Sequence, residues 1–163
     1  MAEQQHLFER PNVIERLFNQ CIGALVRFGL GPRDMRVLEV RGRKSGKIYS
    51  LPVDLLSADG RLYLVAPRGY TQWVRNVETQ GQVTLRRGSQ VAQYRLRALL
   101  ASEKPPILKA YLERFRREVQ RFFPVPADSP VEAFVPLSQR YPAFEVIQKT
   151  EEKMNLGSKM PNL

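Results

Sequence analysis

The stretch from Lys47 to Ala66, KIYSLPVDLLSADGRLYLVA, decides the fold. Tyr49, Leu51, Val53 and Leu55 alternate onto one face, the period-two signature of a strand with one side buried. Ser57-Ala58-Asp59-Gly60 is a tight-turn sequence, and an apolar run resumes from Arg61 to Ala66, so the segment reads as a hairpin. Pro52 supplies no N–H to a ladder and demands an edge or a bulge.

The same period extends outward. Met35 to Gly42 reads as a strand before the hairpin. Gln82 to Arg87 and Gln90 to Leu100 form a second hairpin around Gly88-Ser89, and Ala143 to Gln148 supplies a sixth strand. Between the hairpins, Thr71 to Thr79 is a short helix stopped by Gly81. Strands joined by short turns with one brief helix imply an antiparallel barrel or sandwich, not a parallel sheet. Around this β region the period changes to that of helices. Ile14, Leu17, Phe18, Cys21, Ile22, Leu25 and Val26 make an apolar stripe over residues 12–28. Ile107, Leu108, Tyr111, Leu112, Phe115, Val119 and Phe122 do so over a long helix from Ser102, its expected N-cap, to Phe122. A short helix is expected from Pro130 to Arg140. The organisation is thus a helical segment at 1–35, a barrel domain at 36–148 and a loose tail at 149–163.

Composition excludes several classes. One cysteine, Cys21, forbids an internal disulfide or a cysteine-rich zinc site, and one histidine, His6, argues against a His-based triad or a multi-His metal centre. No metal is expected. No run of about 18 apolar residues is present to span a membrane. The polar N-terminus does not read as a signal peptide, so a cytoplasmic location is the default. Packing is the favoured role for the first helix, whose polar face carries Glu15, Arg16, Asn19 and Gln20; contact with a membrane surface is the less favoured one.

Lys and Arg number 26 against 16 acids, a net charge of +10, and the excess is uneven. Arg33, Arg36, Arg41, Arg43, Lys44 and Lys47 fall within fifteen residues that hold two acids, Asp34 and Glu39. Such clustering implies an anionic ligand. Gly42-Arg43-Lys44-Ser45-Gly46-Lys47 joins two strands, with glycines that let backbone N–H groups turn toward an anion and side chains that add donors. It is not a P-loop, because the glycine spacing is one short and Ile48 stands where a magnesium-binding hydroxyl is needed. A second constellation, Ala66-Pro67-Arg68-Gly69-Tyr70-Thr71-Gln72-Trp73-Val74-Arg75-Asn76, leads from a strand end into a helix N-terminus, a place that attracts anions. Trp73, the only tryptophan, packs in the core or lines a pocket for a flat aromatic ligand. No GxGxxG motif supports a Rossmann site.

Together, GRKSG after the first strand and APRGYTQWVRN after the third resemble the deazaflavin-dependent, nitroreductase-like oxidoreductases. EKPPILKAYLERFRREVQRFF and YPAFEVI are similar to that branch too, so the resemblance spans about Leu7 to Ile147. It implies an α+β fold: a split β-barrel of about six mainly antiparallel strands with flanking helices. The implied cofactor is coenzyme F-420, an 8-hydroxy-5-deazaflavin with a phosphate and an oligoglutamate tail; FMN is the alternative. The implied activity is hydride transfer to a small organic acceptor such as a quinone or nitro compound. By resemblance, Arg43, Lys44, Ser45, Gly46 and Lys47 hold the phosphate and acidic tail, and Ala66, Pro67, Arg68 and Gly69 run beside the ring. Trp73 and Asn76 match the family's Trp-x-x-Asn. Tyr49 stands where many members carry arginine, and Val74 where many carry tyrosine. Tyr49 and Tyr70 are candidates to orient the acceptor. No catalytic side chain is required, since the cofactor carries the chemistry. Family resemblance allows a monomer or a homodimer.

Two other classes remain in view. One is a non-catalytic carrier of cofactor, haem or lipid. The other, less favoured, is a nucleic-acid-binding barrel using Arg86, Arg87, Arg95 and Arg97, for which Tyr94 is the single interleaved aromatic.

Overall fold

Six strands close on themselves in the order β1-β2-β3-β6-β5-β4 in the computed structural model, which describes residues 22–149. They are β1 (Met35–Arg41), β2 (Ile48–Ala58), β3 (Arg61–Val65), β4 (Gln82–Arg87), β5 (Gln90–Ala98) and β6 (Ala143–Gln148). Every pairing is antiparallel, as the short turns require. Inward residues from all six strands, including Leu38, Val40, Leu55, Leu64, Leu85, Leu96 and Phe144, fill the barrel. Helix α1 (Gln72–Gln80) plugs one end with Val74 and Val77 and stops at Gly81, whose φ of 68° suits a residue without a Cβ.

β2 is the strand on which the barrel splits. Its first half, Ile48 to Asp54, pairs with β1, and its second half, Leu55 to Ala58, pairs with β3. Pro52 faces Val37 of β1 and has no partner on its other side. The edge that proline demands therefore exists locally, inside a closed barrel.

A second apolar cluster lies outside. There Leu56, Tyr63 and Val65 meet α2 (Lys104–Arg114), α3 (Arg116–Val119), the 3-10 turn Gln120–Phe122 and the 3-10 segment Val131–Leu137. The helix expected from Ser102 to Phe122 is thus three pieces. It breaks at Phe115, where φ is −111° and ψ is 25°, and this bend keeps Phe115, Val119 and Phe122 all on the outer cluster. The N-cap is Glu103, not Ser102, and the Glu103 carboxylate accepts the Leu100 N–H at 2.7 Å. Val131–Leu137 winds as 3-10 rather than α, with Pro136, which has no N–H to give to either ladder, inside it. Residues 22–27 are helical; the rest of the helix expected at 12–28, and the tail beyond residue 149, lie outside the described residues. Among those described, no helix is long and apolar enough to cross a membrane.

Candidate functional site

A cavity of about 1360 Å³ opens where β2 leaves β3. Its walls come from the β1–β2 loop, the exposed half of β2, the chain after β3, the first turns of α1, residues 22–27, and α2–α3 with the turn that follows. Of the residues singled out by the sequence, Arg43, Lys44, Ser45, Tyr49, Ala66, Pro67, Arg68, Trp73 and Asn76 line it. Gly46, Lys47, Gly69 and Tyr70 do not. Gly46 and Lys47 shape the loop instead, since Gly46 has a φ of 68° and the Lys47 carbonyl accepts the Gly42 N–H at 2.7 Å. Tyr70 projects into solvent.

The loop is held from below. Asn76, buried on α1, accepts at Oδ1 both the Arg43 N–H at 3.2 Å and the Arg43 guanidinium at 2.8 Å. Gln72 Oε1 accepts the same guanidinium nitrogen at 3.1 Å. Asn76 is therefore an anchor for the loop. The Ser45 and Tyr49 hydroxyls lie 3.1 Å apart and share a hydrogen bond. Gly42 is needed for this packing, because a Cβ there would stand 2.6 Å from Tyr49 Cε2 and 2.7 Å from Ser45 Oγ. Lys44 is exposed, and no hydrogen bond or ion pair engages its ammonium among the described residues.

The N-terminus of α1 adjoins the loop. Thr71 is its N-cap residue, but no side chain caps the helix. The Thr71 hydroxyl is buried and has no hydrogen-bond partner among the described residues. Uncapped N–H groups, an orphaned hydroxyl and the Arg43–Lys44–Ser45 loop make one electropositive, donor-rich pole, which fits a phosphate or carboxylate. Beside it Trp73 is half-buried. Its ring packs on Phe144 at 5.9 Å, and the residue also lines the cavity. Such a pole next to an indole fits a flat ring that carries an anionic tail.

The opposite wall escaped the sequence reading. Asp54, Tyr111, Arg117, Glu118, Arg121 and Phe122 line it. Arg68 and Arg121 place their guanidinium carbons 4.6 and 4.7 Å from the centre of the Phe122 ring, cation–π contacts that join the chain after β3 to the helical wall. Burial, helped by the charges of Glu118 and Asp34, pushes the Asp54 carboxyl up to about 6. Burial also raises the Tyr111 hydroxyl well above its ordinary value. The signal for Asp54 was present: an acid on the second face of an apolar strand, next to Val53 and Leu55. The sequence reading followed only the apolar face.

Three of the four arginines considered for nucleic acid, Arg86, Arg87 and Arg97, are engaged within the protein. Arg86 pairs with Glu39 at 3.2 Å, and Arg97 pairs with Glu145 and Glu103 at 2.8 and 3.0 Å. The Arg87 guanidinium donates to the carbonyls of Gly29, Gly31, Pro32 and Met35. No group of three His, Cys, Asp or Glu residues that could hold a metal occurs among the described residues.

A family model described as F420H(2)-dependent quinone reductase matches residues 16–122. No curated protein matches the chain. Among solved structures, one described as a domain-swapped dimer is 22% identical, with 82% of this chain and 92% of that chain covered and a TM-score of 0.50. A protein of unknown function from Agrobacterium tumefaciens is 17% identical over 86% of this chain and 59% of that one, with a TM-score of 0.52. An F420-H2 dependent reductase is 22% identical over 70% and 94%, with a TM-score of 0.48. The first two have the same fold as this chain.

Proposed function

The chain belongs to the F420H(2)-dependent quinone reductase family, and from that premise we propose that it passes hydride from reduced coenzyme F-420 to a small, neutral quinone in the cavity beside Trp73. It is a deazaflavin-dependent oxidoreductase, with coenzyme F-420 as its cofactor. The single observation that carries the finer reading is the contiguity of the basic loop, the uncapped start of α1 and Trp73 along one cavity wall.

In this reading Arg43, Lys44 and Ser45 hold the phosphate and the start of the acidic tail. Asn76 and Gln72 keep Arg43 in place. Ala66, Pro67 and Arg68 border the deazaflavin ring, and Trp73 closes its side. When bound, the cofactor supplies the hydride; the protein orients it and keeps water from the transfer. Pro52, Val65, Tyr111 and Phe122 offer the acceptor a largely apolar surface, which suits a flat uncharged ring.

Anaerobic mixing of the protein with reduced coenzyme F-420 and a soluble benzoquinone or naphthoquinone tests this. Absorbance of the oxidised deazaflavin should return at a rate that saturates with quinone, well above the rate without protein. A rate equal to the protein-free control for every quinone tried would remove the quinone assignment.

A further inference from the structure

The cavity has a second pole, and its carboxylic acid has no part in the reading above. The β2–β3 ladder ends at the Leu55–Leu64 pair. One residue earlier in β2, Asp54 pairs with Met35 of β1, while β3 continues past Val65 into Ala66, Pro67 and Arg68. Asp54 thus stands level with Val65 at the mouth of the split, and both residues line the cavity. It alternates with Val53 and Leu55, which belong to the barrel interior, so it lies on the strand's outer face. Tyr49, beside the basic loop, is five residues away along the strand, or about 17 Å. An acceptor placed against the ring side of Ala66–Arg68 therefore has Asp54 at its far edge, remote from the anion pole.

Among the described residues, no ion pair or hydrogen bond engages the carboxyl of Asp54. Of the acids around it, Glu118 comes from α3, and Asp34, already paired with Arg114, from the chain before β1. Tyr111 reaches the same wall from α2. Of the arginines that line the cavity, Arg43 is held by Asn76 and Gln72, and Arg27, Arg68, Arg75, Arg117 and Arg121 make no ion pair with it.

Resting on the function proposed above, we propose that Asp54 is the proton donor of the reaction, delivering a proton from its carboxyl oxygen to the acceptor oxygen as hydride arrives. Reduction of a quinone to a hydroquinone takes one hydride and one proton. The hydride brings both electrons, oxidising the cofactor by two and reducing the acceptor by two. The proton leaves Asp54 and forms the second O–H of the product. The carboxylate then recovers a proton from solvent, which receives the one shed by the cofactor on oxidation. A carboxyl that titrates near 6 keeps a useful protonated fraction around neutral pH, whereas an ordinary aspartate would not.

The test combines Asp54→Asn, Glu118→Gln and the unaltered protein. In the cofactor-free protein, carbon-13 NMR should find one aspartate titrating near 6 that disappears in Asp54→Asn and moves lower in Glu118→Gln. Binding of oxidised coenzyme F-420, followed by fluorescence, should change less than about twofold in both variants. With quinone, kcat/KM of the unaltered protein should fall above pH 6. Asp54→Asn should lose roughly 10²-fold at low pH and flatten the profile, the lower end of general-acid contributions. Glu118→Gln should shift the falling limb to lower pH. If coenzyme F-420 does not bind the unaltered protein, the functional reading fails and takes this proposal with it. If coenzyme binds and quinone is reduced, but Asp54→Asn keeps the rate and the pH profile, only the role of Asp54 is refuted.

Discussion

Replacing Asn76 by leucine should both loosen the fold and weaken cofactor binding. The residue is 5% exposed, and leucine keeps the branched, four-heavy-atom shape of the side chain, so the change removes an acceptor without opening a cavity. Two hydrogen bonds end at Oδ1. Losing the bond to the Arg43 N–H strands a part-buried donor, which costs about 1–3 kcal/mol. Losing the charged bond costs less than its usual value of about 1.5–3 kcal/mol, because Gln72 still holds the guanidinium and water reaches it. The sum is about 2–4 kcal/mol, a large share of a typical domain stability of about 5–15 kcal/mol. Urea unfolding of the cofactor-free protein measures it, and titration with coenzyme F-420 should show at least tenfold weaker binding. Lys44→Ala is the contrast. Its ammonium is exposed and unengaged among the described residues, so affinity should fall with stability unchanged. If Asn76→Leu leaves both stability and affinity as they were, Asn76 does not anchor the loop, and the account of how Arg43 is positioned is wrong.

Other consequences can be measured with the same protein. Asp54 binds its proton more tightly folded than unfolded, so its contribution to stability is full below about pH 4, declines as pH rises toward 6, and is level above that. Asp54→Asn should therefore match the unaltered protein near pH 3.5 and exceed it above pH 6.5 by up to about 3 kcal/mol, less whatever solvent screening removes; equal melting curves at neutral pH would contradict the burial of this carboxyl. Gly42→Ala should destabilise the protein by about 1–3 kcal/mol, since its Cβ meets Tyr49 Cε2 and Ser45 Oγ at 2.6 and 2.7 Å, and adding Ser45→Ala, which removes one of the two atoms, should recover part of the loss. Trp73 emission should be quenched by bound deazaflavin in proportion to occupancy, and unchanged emission during measurable binding would place the ring elsewhere. Phe122→Ala should cost about 3–5 kcal/mol in thermal or urea unfolding, because the ring is nearly buried and carries the stacked guanidinium groups of Arg68 and Arg121.

The barrel was legible because period-two alternation and turn chemistry act locally. Val53 and Leu55 point inward wherever β2 pairs, and Asp59-Gly60 turns the chain whatever surrounds it. The position of Pro52 announced the break in pairing that creates the cavity. Phe115 was not legible in this way: nothing in its neighbours stops a helix, and the bend there follows from where the outer cluster needs Val119 and Phe122. At the site, the basic loop and the approach to α1 were readable as donors for an anion. The hydrogen bond that joins them, Arg43 to Asn76, spans 33 residues and arises only when the barrel closes. Asp54 and Glu118 lie still farther apart in the chain, on the split strand and α3, so no local pattern could show that the charge of one acts on the other.

The central claim is that the loop at 43–45 and the start of α1 hold the anionic end of a deazaflavin whose ring lies by Trp73. Its most direct test is parallel fluorescence titration of the cofactor-free protein with coenzyme F-420, with the same deazaflavin lacking phosphate and glutamates, and with FMN. Near 0.15 M salt, where the Debye length is about 8 Å, coenzyme F-420 should bind at least tenfold more tightly than the truncated deazaflavin and more tightly than FMN. Lys44→Ala should erase most of the gap between the two deazaflavins. Equal affinity for the intact and truncated deazaflavins, or tighter binding of FMN, would contradict it.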